Sequence, residues 1–521
     1  MSVDPGAHPA SPPPAPARQL AVATAGLAAD TLELVADLCE ALDRAGVRYC
    51  HWKSNEALDR SASGDNDLDL LVHRSDVSAF EEILARLGFT EAHLPRWKRL
   101  PGIWHAYALD RASGRLVHVH AHAQLVIGDD MTKNYHLPIE EPYLASAVPA
   151  PPFRIPAPEL ELALLVLRMV IKHDTWDAIA SGQGSLSASE RREVDDLLAR
   201  VEPDAAAEAL ARHLPIVTPE LWMRCLRSVR PGASLAFRVG TAGELQRSLA
   251  VCARRGRARD TSLKLVRRGR IFVRRRVLRR RAEPKRLGRS GLLVAIVGGD
   301  GAGKSTVVED LTGWLSKDFL TGSVHLGKPP RSALSAAAKG AMTVAASVKR
   351  SPTPSGRALR ASVAADGAAS MTPRNAARLA WETLTARDRY RAYRRARRAA
   401  TNGAIVVCDR FPLAQVRQMD GAVSAGMRDP DRHGRLVRLL AEREQRYYAR
   451  IAYPDVLVVL RVDPDVAVRR RREAPEDLLR RRSEEIWAID WSQTPAIVID
   501  AGLPKDQVLS RVRSEVWSRL P

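Results

Sequence analysis

A chain of 521 residues is too long for one hydrophobic core and calls for two to four domains, while 45% apolar and 27% charged residues describe a folded globular protein rather than a fibrous or disordered one. No apolar run approaches the ~18 residues of a membrane span, and the Pro/Ala-rich N-terminus lacks the basic stretch and apolar core of a secretory signal; Cys39, Cys50, Cys225, Cys252 and Cys408 show no C-x-x-C spacing, which argues against a zinc site built from them and fits a reducing cytoplasm. The net charge of +21 is the outlier, and most of it lies between Arg254 and Arg289, where 17 Arg/Lys face two acids.

In chain order, residues 1–18 carry six prolines and are expected to form a disordered tail. From Asp30 a helix is predicted, with Leu32, Val35, Leu38 and Leu42 on one face and Gly46 as its stop. Residues 46–52 read as a short strand, Lys53-Ser54-Asn55 as a loop, and Asp67-Leu68-Asp69-Leu70-Leu71-Val72 as the entry to another strand. Asp67 and Asp69 are two apart, so both project to the same side. Carboxylates placed in this way can hold a divalent metal for phosphoryl or nucleotidyl chemistry.

A later strand, residues 116–122, alternates His118, His120 and His122 onto one face. These could line a polar pocket, face solvent or ligate a metal, although three imidazoles at period two do not easily converge on one ion. Lys53 could bind a phosphate or be an ordinary surface lysine. With Ser54 upstream, the "WKSN … DxDLLV" pattern resembles the minimal nucleotidyltransferase fold over residues 30–150 of a domain expected at 19–150. That resemblance implies a second metal site at Asp67 and Asp69, with histidines standing where the family places its third carboxylate.

Residues 151–253 read as a helical extension, opening with an apolar helix from Pro158 and broken at Pro203, Pro215, Pro219 and Pro231; its expected task is to cap or extend the domain before it. The basic segment at 254–290 follows. Three readings stay open for it: a solvated linker, a basic amphipathic helix on an anionic membrane surface, or a nucleic-acid contact. Its apolar residues, Leu263, Leu265, Val266, Ile271, Phe272, Val273, Val277 and Leu278, suit the second.

Residues 292–297 are an unbroken apolar run that feeds into Gly298-Gly299-Asp300-Gly301-Ala302-Gly303-Lys304-Ser305-Thr306 and then a helix. Strand, Gly-x-x-x-x-Gly-Lys-Ser and helix in this order are the phosphate-binding P-loop in its required context. Glycines let backbone N–H groups close round phosphates, the helix start adds positive potential, Lys304 reaches the β/γ-phosphates and Ser305 can ligate Mg²⁺. Residues 323–327 read as the next strand, 331–380 as helical insertion and mobile loop, and 386–400 as an Arg-rich helix ending at Asn402-Gly403. Residues 404–411 form a core strand ending in Asp409-Arg410, where a Mg²⁺-organising carboxylate and a phosphate-clamping arginine belong. Residues 454–462 and 496–500 are further strands, separated by the arginine runs 469–472 and 480–482.

The motifs "VGGDGAGKST", "VVCDRF" and "PDVLVVLRVDPDVAVRRR" resemble the thymidylate kinase branch of the nucleoside monophosphate kinases over residues 291–521. The resemblance implies an ATP and Mg²⁺ site at 298–306 and Asp409. It gives Lys304, Asp409, Arg410, Arg471 and Arg472 catalytic roles, the last two from an arginine lid. Where the family has Glu-Pro-Gly, Gly327-Lys328-Pro329-Pro330 stands, followed by a long insertion, so the acceptor stays open.

The expected architecture is α/β: a C-terminal P-loop kinase domain, its parallel sheet flanked by helices, behind an N-terminal α+β nucleotidyltransferase-like domain with a helical extension. The expected activity is a cytoplasmic Mg²⁺/ATP-dependent phosphotransferase with a small-molecule acceptor. The alternatives are an ATP-switched regulatory or assembly protein at the inner membrane face, of the kind that can serve surface-polysaccharide synthesis, and a bifunctional enzyme whose N-terminal domain transfers a nucleotidyl group.

Overall fold

The computed structural model describes residues 30–277, 284–333, 335–337, 373–416, 421–426, 434–470 and 476–521. The N-terminal tail, most of the insertion after Pro330, and Arg471 and Arg472 of the expected lid lie outside them. The chain divides into two compact units, Met1–Ala282 and Glu283–Pro521.

In the N-terminal unit the expected first helix runs Glu33–Arg44 and buries Val35, Leu38, Cys39 and Leu42. Gly46 ends the segment at φ 65°, a conformation that glycine adopts without steric cost. The strands β1 (Tyr49–His51), β2 (Leu68–Val72), β3 (Thr90–His93), β4 (Ile103–Leu109) and β5 (Leu116–His122) pair in the order β1-β2-β5-β4-β3. Only the β2–β5 pairing is parallel; it sets Asp69 beside His120 and Leu71 beside His122.

Both faces of this sheet are covered, by two different cores. The helices Glu33–Arg44 and Val77–Arg86 pack on one face through Leu38, Leu42, Phe80 and Ile83, against Leu68, Leu70 and Val119. On the other, Cys50, Trp52 and Leu71 join the core of the helical extension. The extension therefore caps the sheet, because strand residues on its side would otherwise be left in water. Two small hairpins, β6 (Leu125–Ile127) with β7 (Tyr135–Leu137) and β8 (Val148–Ala150) with β9 (Phe153–Ile155), connect the sheet to the extension.

Within the basic segment, the helix Arg257–Phe272 packs onto this same unit. Lys264 is 1% exposed and lies 2.9 Å from Asp260 and 3.5 Å from Asp177, and Arg268 pairs with Asp129. A cation buried among carboxylates fixes a helix face, since separating the charges would strand one of them without water. No helix among the described residues is long and apolar enough to cross a membrane.

The C-terminal unit opens with a two-residue strand, β10 (Arg286–Leu287), and then a fully parallel sheet of β11 (Leu292–Gly298), β12 (Thr321–His325), β13 (Ile405–Asp409), β14 (Val456–Arg461) and β15 (Ala496–Asp500). Their order is β12-β13-β11-β14-β15, with the P-loop strand in the centre. All seven residues of β11 are buried. That is why its sequence is continuously apolar rather than alternating: helices cover both faces of a parallel sheet. One face packs on Ala392, Tyr393, Ala396 and Ala400 of the helix Pro373–Thr401 and on Ile486. The helices Lys304–Leu315 and Lys505–Trp517 meet through Trp314 and Trp517, whose ring centres are 6.0 Å apart.

Candidate functional site

Parallel strands all present their C-terminal ends on one edge, so whatever follows each strand is gathered there. Ile296 of β11 and Asp409 of β13 are register partners, and β11 leads two residues later into the glycine-rich loop. The loop passes against backbone too close for side chains. A Cβ on Gly298 would lie 2.6 Å from the Leu460 carbonyl oxygen, and one on Gly301 2.7 Å from that of Ala467; Gly301 also sits at φ 87°. Gly303 at φ 82° starts the helix Lys304–Leu315, whose first helical bond runs from the Val307 N–H to the Gly303 carbonyl. The N–H groups of the turn before it have no intrahelical acceptor and are available to an anion.

The side chains around this loop form a connected set. Lys304 is buried and its Nζ donates to the Gly299 carbonyl at 2.6 Å. Asp300 accepts from Arg410 at 2.9 Å and from Arg482 at 2.6 Å. Burial alone would raise the Asp300 carboxyl, but the Arg482 hydrogen bond and the charges of Arg410, Lys304 and Arg482 outweigh it and hold the group below the usual carboxylate range. Arg410 takes φ 60°, a strained value for a non-glycine residue, and this conformation follows the Asp409 strand end directly. Asp409 has one carboxylate oxygen 3.7 Å from His325 Nε2 at the end of β12; the other, Oδ1, is buried with no hydrogen-bond partner among the described residues. An unsatisfied buried carboxylate oxygen at a strand end beside a P-loop fits a divalent cation. Ser305 and Thr306 are exposed at the helix start.

Of the expected lid, Arg482 reaches the loop. Arg480 instead pairs with Asp465 at 2.6 Å, and Arg470 donates to the Ala501 carbonyl, so these two brace the helices Pro464–Arg470 and Glu476–Ala488. In the Arg-rich helix, Arg397 is fixed by Asp455 at 2.5 Å, and buried Arg389 donates to the carbonyls of Leu326 and Gly327. Arg389 thereby holds the turn after β12, which no local pattern distinguishes among seven neighbouring arginines. His325 was likewise invisible in sequence; its only signal is its place as the last residue of a strand adjoining the Asp409 strand.

In the N-terminal unit the two carboxylates of the D-x-D pair part company. Exposed Asp67 meets His118 at 2.7 Å, while Asp69 meets both Lys53 Nζ and His120 Nδ1 at 2.7 Å. Burial favours the neutral carboxyl at Asp69, yet Lys53 and His120 reverse this and keep it ionised; burial lowers His120 to about 4. His105 stacks on both His118 and His120, and Tyr107 on His118. The histidine face is therefore a packed ring stack rather than a solvated surface.

The Lys53-Ser54-Asn55 loop is held by the helical extension, which sequence patterns had left without chemistry. Glu193 accepts from the Ser54 N–H and Glu161 from the Asn55 side chain, each at 2.8 Å, and Ser54 sits at φ 59°. Glu161 interrupts the otherwise apolar run 160–167 of the helix Pro158–Met169, and that misfit was the available clue. Burial first, then Glu193, pushes Glu161 up to about 8.

No family model matches the chain. Two proteins of Escherichia coli, from strains K12 and O6:H1 and both described as the uncharacterized ATP-binding protein YghR, are 27% identical to it over 232 residues, covering 43% of this chain and 86% of theirs. Among solved structures, the thymidylate kinase from Candida albicans covers 44% of this chain and 91% of its own at 16% identity, with a TM-score of 0.25, a fit too loose to bear on activity. The loop geometry is that of a phosphate-binding P-loop at the C-terminal edge of a parallel sheet in an α/β unit.

Proposed function

We propose that the C-terminal unit is a Mg²⁺/ATP-dependent phosphotransferase acting on a small acceptor, a nucleoside monophosphate or another small phosphorylated or hydroxyl compound. The observation that carries this reading is Asp300, which draws Arg410 from the Asp409 strand end and Arg482 from the lid helix onto the phosphate loop itself. A loop that merely binds nucleotide needs no such convergence; transfer does, because charge developing on the moving phosphoryl group must be met by fixed cations. Bound there, ATP would supply the phosphoryl group, and Mg²⁺ at Ser305 and Asp409 would offset its charge. Lys304 would exchange the Gly299 carbonyl for phosphate oxygens, and Arg410 and Arg482, already aimed at the loop, would orient donor and acceptor phosphates.

The test is acceptor-stimulated ADP release by the full-length protein across a panel of nucleoside monophosphates and sugars. Lys304→Ala should abolish it. Turnover that needs no acceptor and survives in that variant would sink the proposal. Nucleotidyl transfer by the N-terminal unit has less support, because His118 engages Asp67 while Lys53 and His120 engage Asp69.

One observation favours a second role beside the first. Leu265, Val266, Phe272, Val273 and Val277 are exposed along the basic helix and the residues that follow it, while Lys264 is buried. Apolar residues set among arginines suit an anionic lipid surface. Phe272→Glu should weaken co-sedimentation with phosphatidylserine vesicles; unchanged binding would rule this face out.

A further inference from the structure

We propose that Asp69, His120 and His122 form a binding site for a divalent transition-metal ion of the zinc class. The site is separate from the P-loop, and its argument does not depend on the phosphotransferase reading.

The parallel pairing of β2 with β5 makes Asp69 and His120 register partners, so their side chains rise from the same face of the sheet. His122 follows two residues later on that face, its ring centre 4.5 Å from that of His120. One donor atom from each of the three side chains lies within 4.8 Å of the other two. The strand spacing that keeps three successive histidines apart thus leaves two close together, and the neighbouring strand supplies a carboxylate. His118 is drawn away by Asp67 and His105.

The independent sign of a ligand is His122 itself. It is fully buried, packed edge-on against Trp52 at 4.9 Å, and neither ring nitrogen has a hydrogen-bond partner among the described residues. Buried imidazoles ordinarily satisfy at least one nitrogen, so a wholly orphaned one beside a carboxylate and a second imidazole is what a ligand awaiting its ion looks like. A positive charge already stands at the cluster: Lys53 Nζ is 2.7 Å from Asp69 and 3.5 Å from His120. The ammonium answers Asp69 but gives His122 nothing. Two imidazoles and one carboxylate suit zinc and its neighbours rather than Mg²⁺ or Ca²⁺, which prefer all-oxygen shells. A cavity of about 400 Å³, lined by His105, Asp130 and Lys133 among others, reaches the cluster at His120 and offers room there for water or an anionic ligand.

The experiment uses untagged full-length protein, stripped with a chelator and re-equilibrated with Zn²⁺ without nucleotide. Bound metal is measured by mass spectrometry, and Co²⁺ absorption reports coordination geometry. One Zn²⁺ per chain is expected, with visible Co²⁺ bands of a four- or five-coordinate site. His122→Ala and His120→Ala should each lower affinity at least as far as loss of an outer-shell partner does, ~10–100-fold. Lys53→Met should raise affinity by removing the competing ammonium, and this gain of binding cannot come from misfolding. The proposal is overturned if the wild-type chain retains no zinc, if the histidine variants still hold a full equivalent, or if Lys53→Met binds no more tightly than wild type.

Discussion

If Asp300 is the tie between the phosphate loop and two arginines, removing its carboxylate should cost more than removing either arginine. Asp300→Ala leaves Arg482, only 9% exposed, with its charge uncompensated. Breaking a buried pair in this way costs about 3–5 kcal/mol. In a unit of this size each kcal/mol moves the melting midpoint by about 2–4 °C, so a fall of roughly 6–20 °C is expected. Arg482→Ala leaves Asp300 still paired with Arg410 and should cost about 1.5–3 kcal/mol, the worth of a hydrogen bond to a charged group. Arg410 has a side chain 24% exposed, so Arg410→Ala should cost less, about 1 kcal/mol. The double variant Asp300→Ala/Arg482→Ala removes the stranded guanidinium and should be less destabilised than the sum of the singles. Denaturant midpoints of the full-length chain decide the matter. If the singles and the double add within about 0.5 kcal/mol, Asp300 and Arg482 do not act as a pair and the reasoning fails.

The loop glycines should separate by their surroundings. Gly301→Ala meets both a positive φ and the Ala467 carbonyl, whereas Gly303→Ala meets a positive φ in open space; the conformational cost of roughly 1–2 kcal/mol is common to both. Gly301→Ala should therefore lose more stability and more ATP affinity by calorimetry, and equal losses would show that the close approach does not matter. Glu161 predicts a pH dependence. Its carboxyl titrates near about 8 when folded and near 4.3 when unfolded, so between these values the unfolded chain holds fewer protons and stability falls as pH rises. Glu161→Gln keeps the acceptor for Asn55 and removes the slope. The variant should gain on wild type by up to ~1.4 kcal/mol per pH unit from pH 5 to 8, measured as urea midpoints; parallel curves would refute it.

Much of this protein was legible in one dimension because its governing constraints are local. The P-loop residues 298–306 must be glycine where backbone approaches backbone, and the run 292–297 must be apolar where helices cover both faces, so each announces itself by residue type. Asp409-Arg410 announces itself by following a core strand. The period-3.6 pattern placed the helix Glu33–Arg44 and the period-2 pattern placed β5, each to within a turn or a residue or two. The pairings that join distant segments stayed hidden. Nothing near Arg482 tells it from Arg480, yet one reaches Asp300 across 182 positions of chain and the other braces Asp465. Glu161 and Glu193 looked like part of a helical cap until they held the Ser54-Asn55 loop. Three alternating histidines looked equivalent until strand register gave His118 to Asp67, His120 to Asp69, and left His122 without a hydrogen-bond partner among the described residues. Sequence alone decided the P-loop with its flanking strand and helix, the Asp409 strand, β5 and the first helix, because steric and solvation preferences act on each residue where it stands. Only the tertiary structure decided which charge meets which, because that depends on strand order and register, set by the packing of the whole sheet.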